Sequence, residues 1–190
     1  VTGTVGLVST VVGTMAANAL ARMPARAASV TMALVTLPVM LPPLVLAIAL
    51  ANYYSTLGIH FGLPTVIAGH LVFTQPFVIL IVHARLAGFD YAAVNSARDL
   101  GASPLKAFFT ITLPIVRPTI IGAALVAMAL SLDEFVVTFF TIGKGSTLPI
   151  YMWGLMRQGV NPQINVASIV LITLTIGASL IALRATRYRG

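Results

Sequence analysis

Two neighbouring carboxylates, Asp133 and Glu134, lie inside the apolar run AALVAMALSLDEFVVTFFTIG. The chain has four acidic residues in all, so half of them stand at this one point. An ionised carboxylate in the core of a membrane costs about 2.5–3.5 kcal/mol on insertion scales, so a pair needs a specific reason. Three kinds of chemistry fit: binding of a cationic solute, relay of a proton or sodium ion, or a structural pairing with arginine or backbone amides.

The residue that follows the pair, Phe135, favours a cationic solute. A protonated amine is attracted to a carboxylate by its charge and to an aromatic face by cation–π interaction. Neighbouring side chains on a helix point about 100° apart, so Asp133 and Glu134 do not share one narrow face. We expect one of them to face a solute pathway and the other to pair with a neighbouring helix or to cap a break.

The composition places these residues in a membrane protein. Of the 190 residues, 58% are hydrophobic and only 8% are charged, whereas roughly 25% of the residues of a soluble domain are charged. The net charge of +7 comes from basic residues that punctuate apolar runs. A nucleic-acid-binding protein instead gathers its basic residues on one face. The pattern is typical of a multispanning membrane protein with basic loops, and we expect contact with lipid and none with nucleic acid.

Few residues of this chain are suited to catalysis. The sequence has no cysteine, which excludes disulfides and thiol chemistry. His60, His70 and His83 lie far apart without metal-ligand spacing, so we interpret them as packing or loop residues and expect no metal site. The stretch GKGST at 143–147 is not a phosphate-binding loop, because that loop requires a hydroxyl residue directly after its lysine. An intramembrane enzyme would need a catalytic pair that these histidines and serines do not offer.

Five apolar stretches are long enough to cross a bilayer, which takes roughly 20 helical residues. They predict an all-α, polytopic membrane helix bundle with spans at 1–21, 28–51, 64–84, 118–142 and 164–183. The first span carries small residues at four-residue spacing, which indicates close helix packing through Ser9, Gly13, Ala17 and Ala21. Prolines are expected to interrupt the spans at Pro38, Pro42, Pro43 and Pro76.

The distribution of basic residues predicts the orientation of the spans. Loops alternate between the two sides, and Lys144 and Arg157 lie on one side. The other side holds nine basic residues: Arg22, Arg26, Arg85, Arg98, Lys106, Arg117, Arg184, Arg187 and Arg189. Cytoplasmic loops carry the excess of lysine and arginine, so we expect 85–117 and the C-terminus in the cytoplasm and 143–163 outside.

The first half of the cytoplasmic loop is predicted to be a short helix. Asp90 is suited to cap a helix that begins near Tyr91, because its carboxylate can accept hydrogen bonds from free first-turn amides. Gly101 is suited to end the helix, at the position where a positive φ is favoured.

The second half of the loop is predicted to be another short helix. Ser103 is expected to cap it, and Pro104 suits its first turn, where a missing N–H costs nothing. The dipeptide at 113–114, Leu-Pro, is expected to close this helix, with the chain re-entering the membrane near Pro118. A well-capped loop of about thirty residues indicates a function, such as docking a soluble partner.

This loop resembles a known family signature. The order N-S-A-R-D-L-G begins at Asn95 and is followed by nine residues and then I-T-L-P at 111–114. It is similar to the E-A-A-x-x-x-G-x9-I-x-L-P signature of membrane permease subunits in binding-protein-dependent ABC importers. Two positions depart from the signature, because Asn95 replaces the glutamate and Ser96 replaces the first alanine.

The resemblance extends along the chain. SLDEFVVTFFTIG, STLPIYMW and GVNPQINVAS are similar to the C-terminal half of spermidine/putrescine-type permeases, and GHLVFTQPFVILIVHARLAGFD resembles the span before their loop. It implies a type I ABC importer permease fold in a bacterial inner membrane, with 1–190 as one transmembrane domain and a further helix before residue 1. It also implies two ATPase subunits, a second permease and an external substrate-binding protein. ATP and magnesium would belong to the ATPase, with no cofactor and no enzymatic activity in this chain.

The resemblance also implies roles for three groups of residues. Coupling to the ATPase falls to Asn95, Ser96, Ala97, Asp99, Gly101 and Ala102. Trp153, Arg157 and Gln158 would face the binding protein. The pathway for a small cationic solute such as spermidine or putrescine would include Asp133, Glu134 and Phe135.

Two alternatives to a polyamine importer stay open. The same class of importer could carry another small solute. A secondary transporter could use the two carboxylates as an ion relay, but it should show an inverted internal repeat, and we find none in these spans.

Overall fold

The computed structural model describes residues 1–157, 159 and 162–187, and the regular structure in that part of the chain is entirely helical. This confirms the predicted all-α class. The helices are α1 (Thr2–Leu20), α2 (Ala25–Met40), α3 (Pro43–Thr56), α4 (Leu63–Ala87), α5 (Ala92–Asp99), α6 (Pro104–Ala107), a π-helical turn (Phe108–Thr112), α7 (Leu113–Asp133), α8 (Val136–Thr141), α9 (Leu148–Arg157) and α10 (Pro162–Arg187).

Helices α1, α4 and α7 pack against one another and form the centre of the bundle. Small residues make this possible, since Ser9 and Ala17 are fully buried on α1. A Cβ atom added to Gly13 would lie 2.6 Å from Cγ1 of Val78 on α4. The small-residue face predicted on the first span is therefore a helix-packing face.

The second predicted span, 28–51, is not one straight helix. It consists of α2 and α3, which meet at an angle of 98°. Leu41 adopts an extended conformation (φ −77°, ψ 140°) because it precedes Pro42, and Pro42 does the same before Pro43. The consecutive prolines thus interrupt this span as predicted, whereas Pro38 stays inside α2.

Pro76 does not interrupt its span, contrary to the prediction. It is buried within α4, which runs without a break for 25 residues. Proline is tolerated in a membrane helix when neighbouring helices pack around it.

The prediction that the second loop helix ends at 113–114 is wrong. The helix continues from Pro104 to Asp133 as one segment of 30 residues. In the π-helical turn the N–H of Leu113 reaches the carbonyl of Phe108, five residues back. This wider turn precedes Pro114 and accommodates its ring, so the loop helix runs directly into the membrane helix.

By length and apolarity, the described part of the chain has three helices that could each cross a membrane, and the bent pair α2–α3 makes a fourth candidate. The three are α1, α4 and the segment Pro104–Asp133. The fourth predicted span, 118–142, is corrected, because its helix begins earlier and ends at Asp133. The fifth lies within α10, where Ile164–Gly177 forms a shorter apolar segment.

Contacts between the described elements identify two opposite ends of the bundle. At one end Arg22 lines a cavity together with Tyr91, Asn95 and Arg98 of the loop. At the opposite end the hydroxyl of Thr65 donates to the carbonyl of Thr141, at 2.8 Å. The basic α1–α2 turn and the predicted coupling loop, residues 85–117, therefore share one end.

Candidate functional site

The two carboxylates stand at a break in the helical backbone. Helix α7 ends at Asp133, Glu134 is extended (φ −73°, ψ 108°), and α8 begins at Val136. Oε1 of Glu134 accepts a hydrogen bond of 2.8 Å from the N–H of Val137. Glu134 therefore caps the start of α8, where a negative charge is also favoured by the helix dipole.

Asp133 and Glu134 both line a cavity of about 590 Å³ between α4, α7 and α10. The Asp133 side chain is exposed, and that of Glu134 is half-buried. The other lining residues are mostly apolar: Phe73, Ala129, Leu130, Leu171, Ile172, Thr175 and Ile176. The structure thus brings both predicted acids to one apolar-walled space, which suits a solute with cationic ends and apolar segments.

Phe135 does not line this cavity and belongs to an aromatic cluster. Its ring centroid lies 5.4 Å from that of Phe139 and 5.7 Å from that of Trp153, and Phe139 and Trp153 are 5.1 Å apart. The guanidinium carbon of Arg157 lies 4.1 Å from the Trp153 ring centroid, a cation–π contact. Phe135 of the predicted pathway therefore contacts Trp153 of the predicted external surface. Gln158 lies outside the described residues.

His70 is a site residue that sequence reasoning missed. Only 1% of its surface is exposed, and its ring lies between the two sides of the break. Nδ1 is 2.9 Å from Oγ of Ser131, and Nε2 is 2.8 Å from Oγ1 of Thr138. The hydroxyl residues that flank the acidic pair were a local signal, but their histidine partner is more than sixty positions away.

The predicted turn in the loop at 85–117 is present. Helix α5 begins at Ala92, one residue later than expected. The N–H of Ala92 donates to Oδ1 of Asp90 at 2.9 Å. Gly101 has φ +88°. The N–H of Ala102 bonds the carbonyl of Ala97, and that of Gly101 bonds the carbonyl of Arg98, at 3.0 and 2.9 Å. This is the Schellman pattern, which closes a helix with a glycine of positive φ.

Helix α6 follows with the predicted cap. Oγ of Ser103 accepts from the N–H of Lys106 at 3.3 Å, and Pro104 is the first helical residue. Next to this turn, Leu100 and Leu105 are 89% and 69% exposed. Both side chains lie on the surface and are available for contact with another protein.

Most of the predicted coupling residues gather on one side of this turn. A surface cavity of about 500 Å³ is lined by Asn95, Arg98, Asp99, Gly101, Ala102 and Pro104. Ser96 is exposed on α5, where its hydroxyl donates to the carbonyl of Ala92 at 3.0 Å, and Ala97 is half-buried. Asn95, Asp99, Gly101 and Ala102 are therefore brought together, while Ser96 and Ala97 belong to the helix beside them.

Comparison with known proteins places this architecture in a family. Residues 9–188 match the family model described as "Binding-protein-dependent transport system inner membrane component". The putrescine transport system permease protein PotI of Escherichia coli K12 is 37% identical over 152 residues, which are 76% of this chain and 53% of the relative. The chain thus spans about half the length of this relative.

Two further relatives match a larger share of both chains. The spermidine/putrescine transport system permease protein PotC of Shigella flexneri is 32% identical over 96% of this chain and 71% of its own length. PotC of Haemophilus influenzae is 30% identical over 94% and 70%.

A solved structure confirms the fold. The inward-facing MetNI methionine ABC transporter matches with a TM-score of 0.75 over 98% of this chain and 89% of that one, at 19% identity. The predicted type I importer permease fold is therefore confirmed. With a family model that covers nearly the whole sequence, this chain belongs to the family of binding-protein-dependent transport system inner membrane components.

Proposed function

We propose that the chain is a permease subunit of an ATP-driven importer and forms, with a second permease, the pathway for a polyamine such as spermidine or putrescine. The observation that carries this proposal is the apolar-walled cavity that holds Asp133 and Glu134 inside the membrane domain. The relatives named as putrescine and spermidine/putrescine permeases support the same class of solute.

The chemistry of the cavity fits a polyamine. Such a molecule carries protonated amines separated by methylene segments, which require anionic groups at intervals and apolar walls between them. Glu134 uses one oxygen for the N–H of Val137, but a carboxylate has about four acceptor positions, so it can still bind an ammonium group. Asp133 has an exposed carboxylate that can bind a second cationic group.

The structure of the coupling loop supports the proposal that this chain binds a partner that hydrolyses ATP. The turn at Gly101, with exposed Leu100 and Leu105 beside it, presents a rigid apolar surface suited to a groove in an ATPase subunit. Two such subunits would supply ATP and magnesium chemistry, so this chain would not be an enzyme. Asn95 offers an amide instead of the carboxylate of the family signature, so its contact with the ATPase would be a neutral hydrogen bond.

The proposed orientation follows from the basic residues at the loop end. Residues 85–117 and the C-terminus would lie in the cytoplasm, and 143–163 would lie outside the bacterial inner membrane. Trp153 and Arg157, together with Gln158, would then face an external binding protein.

The test removes the negative charges while it preserves side-chain volume. In the complete transporter with both permeases, the ATPase and the binding protein, Asp133→Asn/Glu134→Gln should reduce ATP-dependent uptake of labelled putrescine or spermidine by at least about tenfold, because the negative charges that attract a protonated amine are lost. Glu134→Gln keeps an oxygen that can accept from Val137, so the complex should still assemble. Asp90→Asn is the matched control, since asparagine also caps a helix and lies outside the pathway.

Two outcomes would contradict the proposal. If the assembled double variant imports amines at the unmodified rate, the carboxylates are structural. If the chain alone moves an amine without ATPase or ATP in response to an ion gradient, it is a secondary transporter.

A further inference from the structure

The ring of His70 joins both sides of the break that carries the carboxylates. Its Nδ1 contacts Ser131 in the last turn of α7, and its Nε2 contacts Thr138 in α8, at 2.9 and 2.8 Å. Ser131 and Thr138 are 4% and 1% exposed, and with His70 they border a cavity of about 310 Å³ that Glu134 also lines. A single side chain of α4 thus holds two helix ends whose connecting backbone is not helical.

The network determines which ring nitrogen carries the proton. The hydroxyl of Thr138 donates its one hydrogen to the carbonyl of Glu134 at 2.9 Å. Nε2 of His70 must therefore donate to Thr138, and in a neutral ring Nδ1 accepts from the hydroxyl of Ser131. In this tautomer each of the three side chains has a hydrogen-bond partner, and the backbone of Glu134 is included in the network.

Neighbouring residues also hold the backbone of His70 in place. Its carbonyl accepts from the hydroxyl of Thr74 at 2.8 Å, and Thr74 bonds the hydroxyl of Ser9 on α1 at 2.9 Å. Beside it, a Cβ atom added to Gly69 would lie 2.7 Å from Cγ1 of Val137, so α4 approaches α8 closely here. The backbone of His70 is therefore held at a point where α4 packs closely against α1 and α8.

Helix α8 has six residues, which is too short to be stable in isolation, so outside contacts must determine its position. Asp133 and Glu134 lie between the two residues that His70 holds. We propose that His70 is a positioning residue that directs the two carboxylates towards the cavity they line. This inference rests on the proposed function for the role of the carboxylates, but the geometry it asserts can be tested without a solute.

The first test replaces His70 with amide side chains that can form only one of its two hydrogen bonds. The amide nitrogen of asparagine lies near the position of Nδ1 and that of glutamine near Nε2, so His70→Asn can bond Ser131 and His70→Gln can bond Thr138, but neither bridges both. In the complete transporter, each should lower the amount of amine imported per ATP hydrolysed by about tenfold, because one buried bond across the break is lost. A purely structural role would lower import and ATP hydrolysis together, in proportion to the amount assembled.

The second test measures the break directly. The chain has no cysteine, so Leu132→Cys provides a single thiol in this chain beside the break. In the assembled complex, His70→Asn and His70→Gln should each change the rate at which a membrane-impermeant maleimide labels this thiol by about fivefold or more, because the bridged segment is released. His83→Asn is the matched control, since it makes the same substitution on the same helix away from the break.

Smaller changes keep the proposal testable if His70 variants do not assemble. Thr138→Val and Ser131→Ala each remove one of the two hydrogen bonds of His70 and should reproduce the labelling change. Thr138→Ser keeps a hydroxyl and should behave as the unmodified protein. Unchanged labelling and an unchanged ratio of import to ATP hydrolysis in the bridge variants would overturn the proposal. Altered labelling together with normal import by Asp133→Asn/Glu134→Gln would show that the positioning is correct and that the proposed pathway is wrong.

Discussion

The turn between α5 and α6 and the break between α7 and α8 both interrupt a helix, but they are held in different ways. At the turn every named bond joins residues between Asp90 and Lys106. At the break two bonds are local, from Val137 and from Thr138 to Glu134, and the bridge comes from His70, which lies 61 and 68 positions from its partners. A turn made of local bonds is expected to retain its shape in the proposed contact with an ATPase subunit. A break held by a distant helix responds to movements of that helix.

The largest expected effect in this comparison comes from Gly101→Val. Gly101 has φ +88° and no atom within 4 Å of an added Cβ, so the penalty is conformational and amounts to about 1–2 kcal/mol or more. The subunit should insert normally, and ATP-dependent import should fall by at least about tenfold while ATP hydrolysis continues, because the docking turn is distorted. Import and ATP hydrolysis are measured in the same reconstituted vesicles.

Gly88→Val is the control for this substitution. Gly88 has φ −99° and also has open space around an added Cβ, so it should tolerate the change. Normal coupled import by Gly101→Val would show that the shape of this turn does not matter for coupling.

An intermediate effect is expected from Gly69→Ala at the break. The new methyl group would lie 2.7 Å from Cγ1 of Val137, and overpacking of this kind costs about 1–3 kcal/mol. The purified complex should have a lower thermal unfolding midpoint, and amine import should decrease because α8 is pushed away from α4.

Val137→Ala in the same chain should restore much of the midpoint, since it removes the methyl groups that collide. Gly122→Ala on α7 is the matched control, because no atom lies within 4 Å of its added Cβ. Equal midpoints for Gly69→Ala and Gly122→Ala would contradict the close approach of α4 and α8.

The smallest effect is expected from Ser103→Ala in the loop. The bond from the N–H of Lys106 is 3.3 Å long and exposed, so its loss should cost about 0.5–1 kcal/mol and affect only the first turn of α6. Amide hydrogen exchange of 105–107 should become faster, whereas import should remain close to normal. Ser103→Asp should keep slow exchange. A large loss of import by Ser103→Ala would show that the turn is not held locally.

How well the sequence predicted each region depends on how far apart along the chain its hydrogen-bonded residues lie. The positive φ of Gly101 and the cap by Ser103 could be predicted, because each depends on residues within one helical turn. The cap by Glu134 was among the roles expected for the acidic pair, since its partner Val137 is also local. The end of the loop helix at 113–114 was predicted wrongly, because a π-helical turn allows Pro114 to follow without ending the helix.

By itself, the sequence determined the all-α membrane class, the family signature of the loop and the position of the acidic pair, because composition and short-range spacing carry that information. Only the tertiary structure decided the 98° angle between α2 and α3, the common cavity of Asp133 and Glu134, and the partners of His70. An isolated histidine in an apolar run has the same local pattern whether it fills space or bridges two helices. Its role depends on which hydroxyl groups the packing of α4, α7 and α8 brings within 3 Å of its ring.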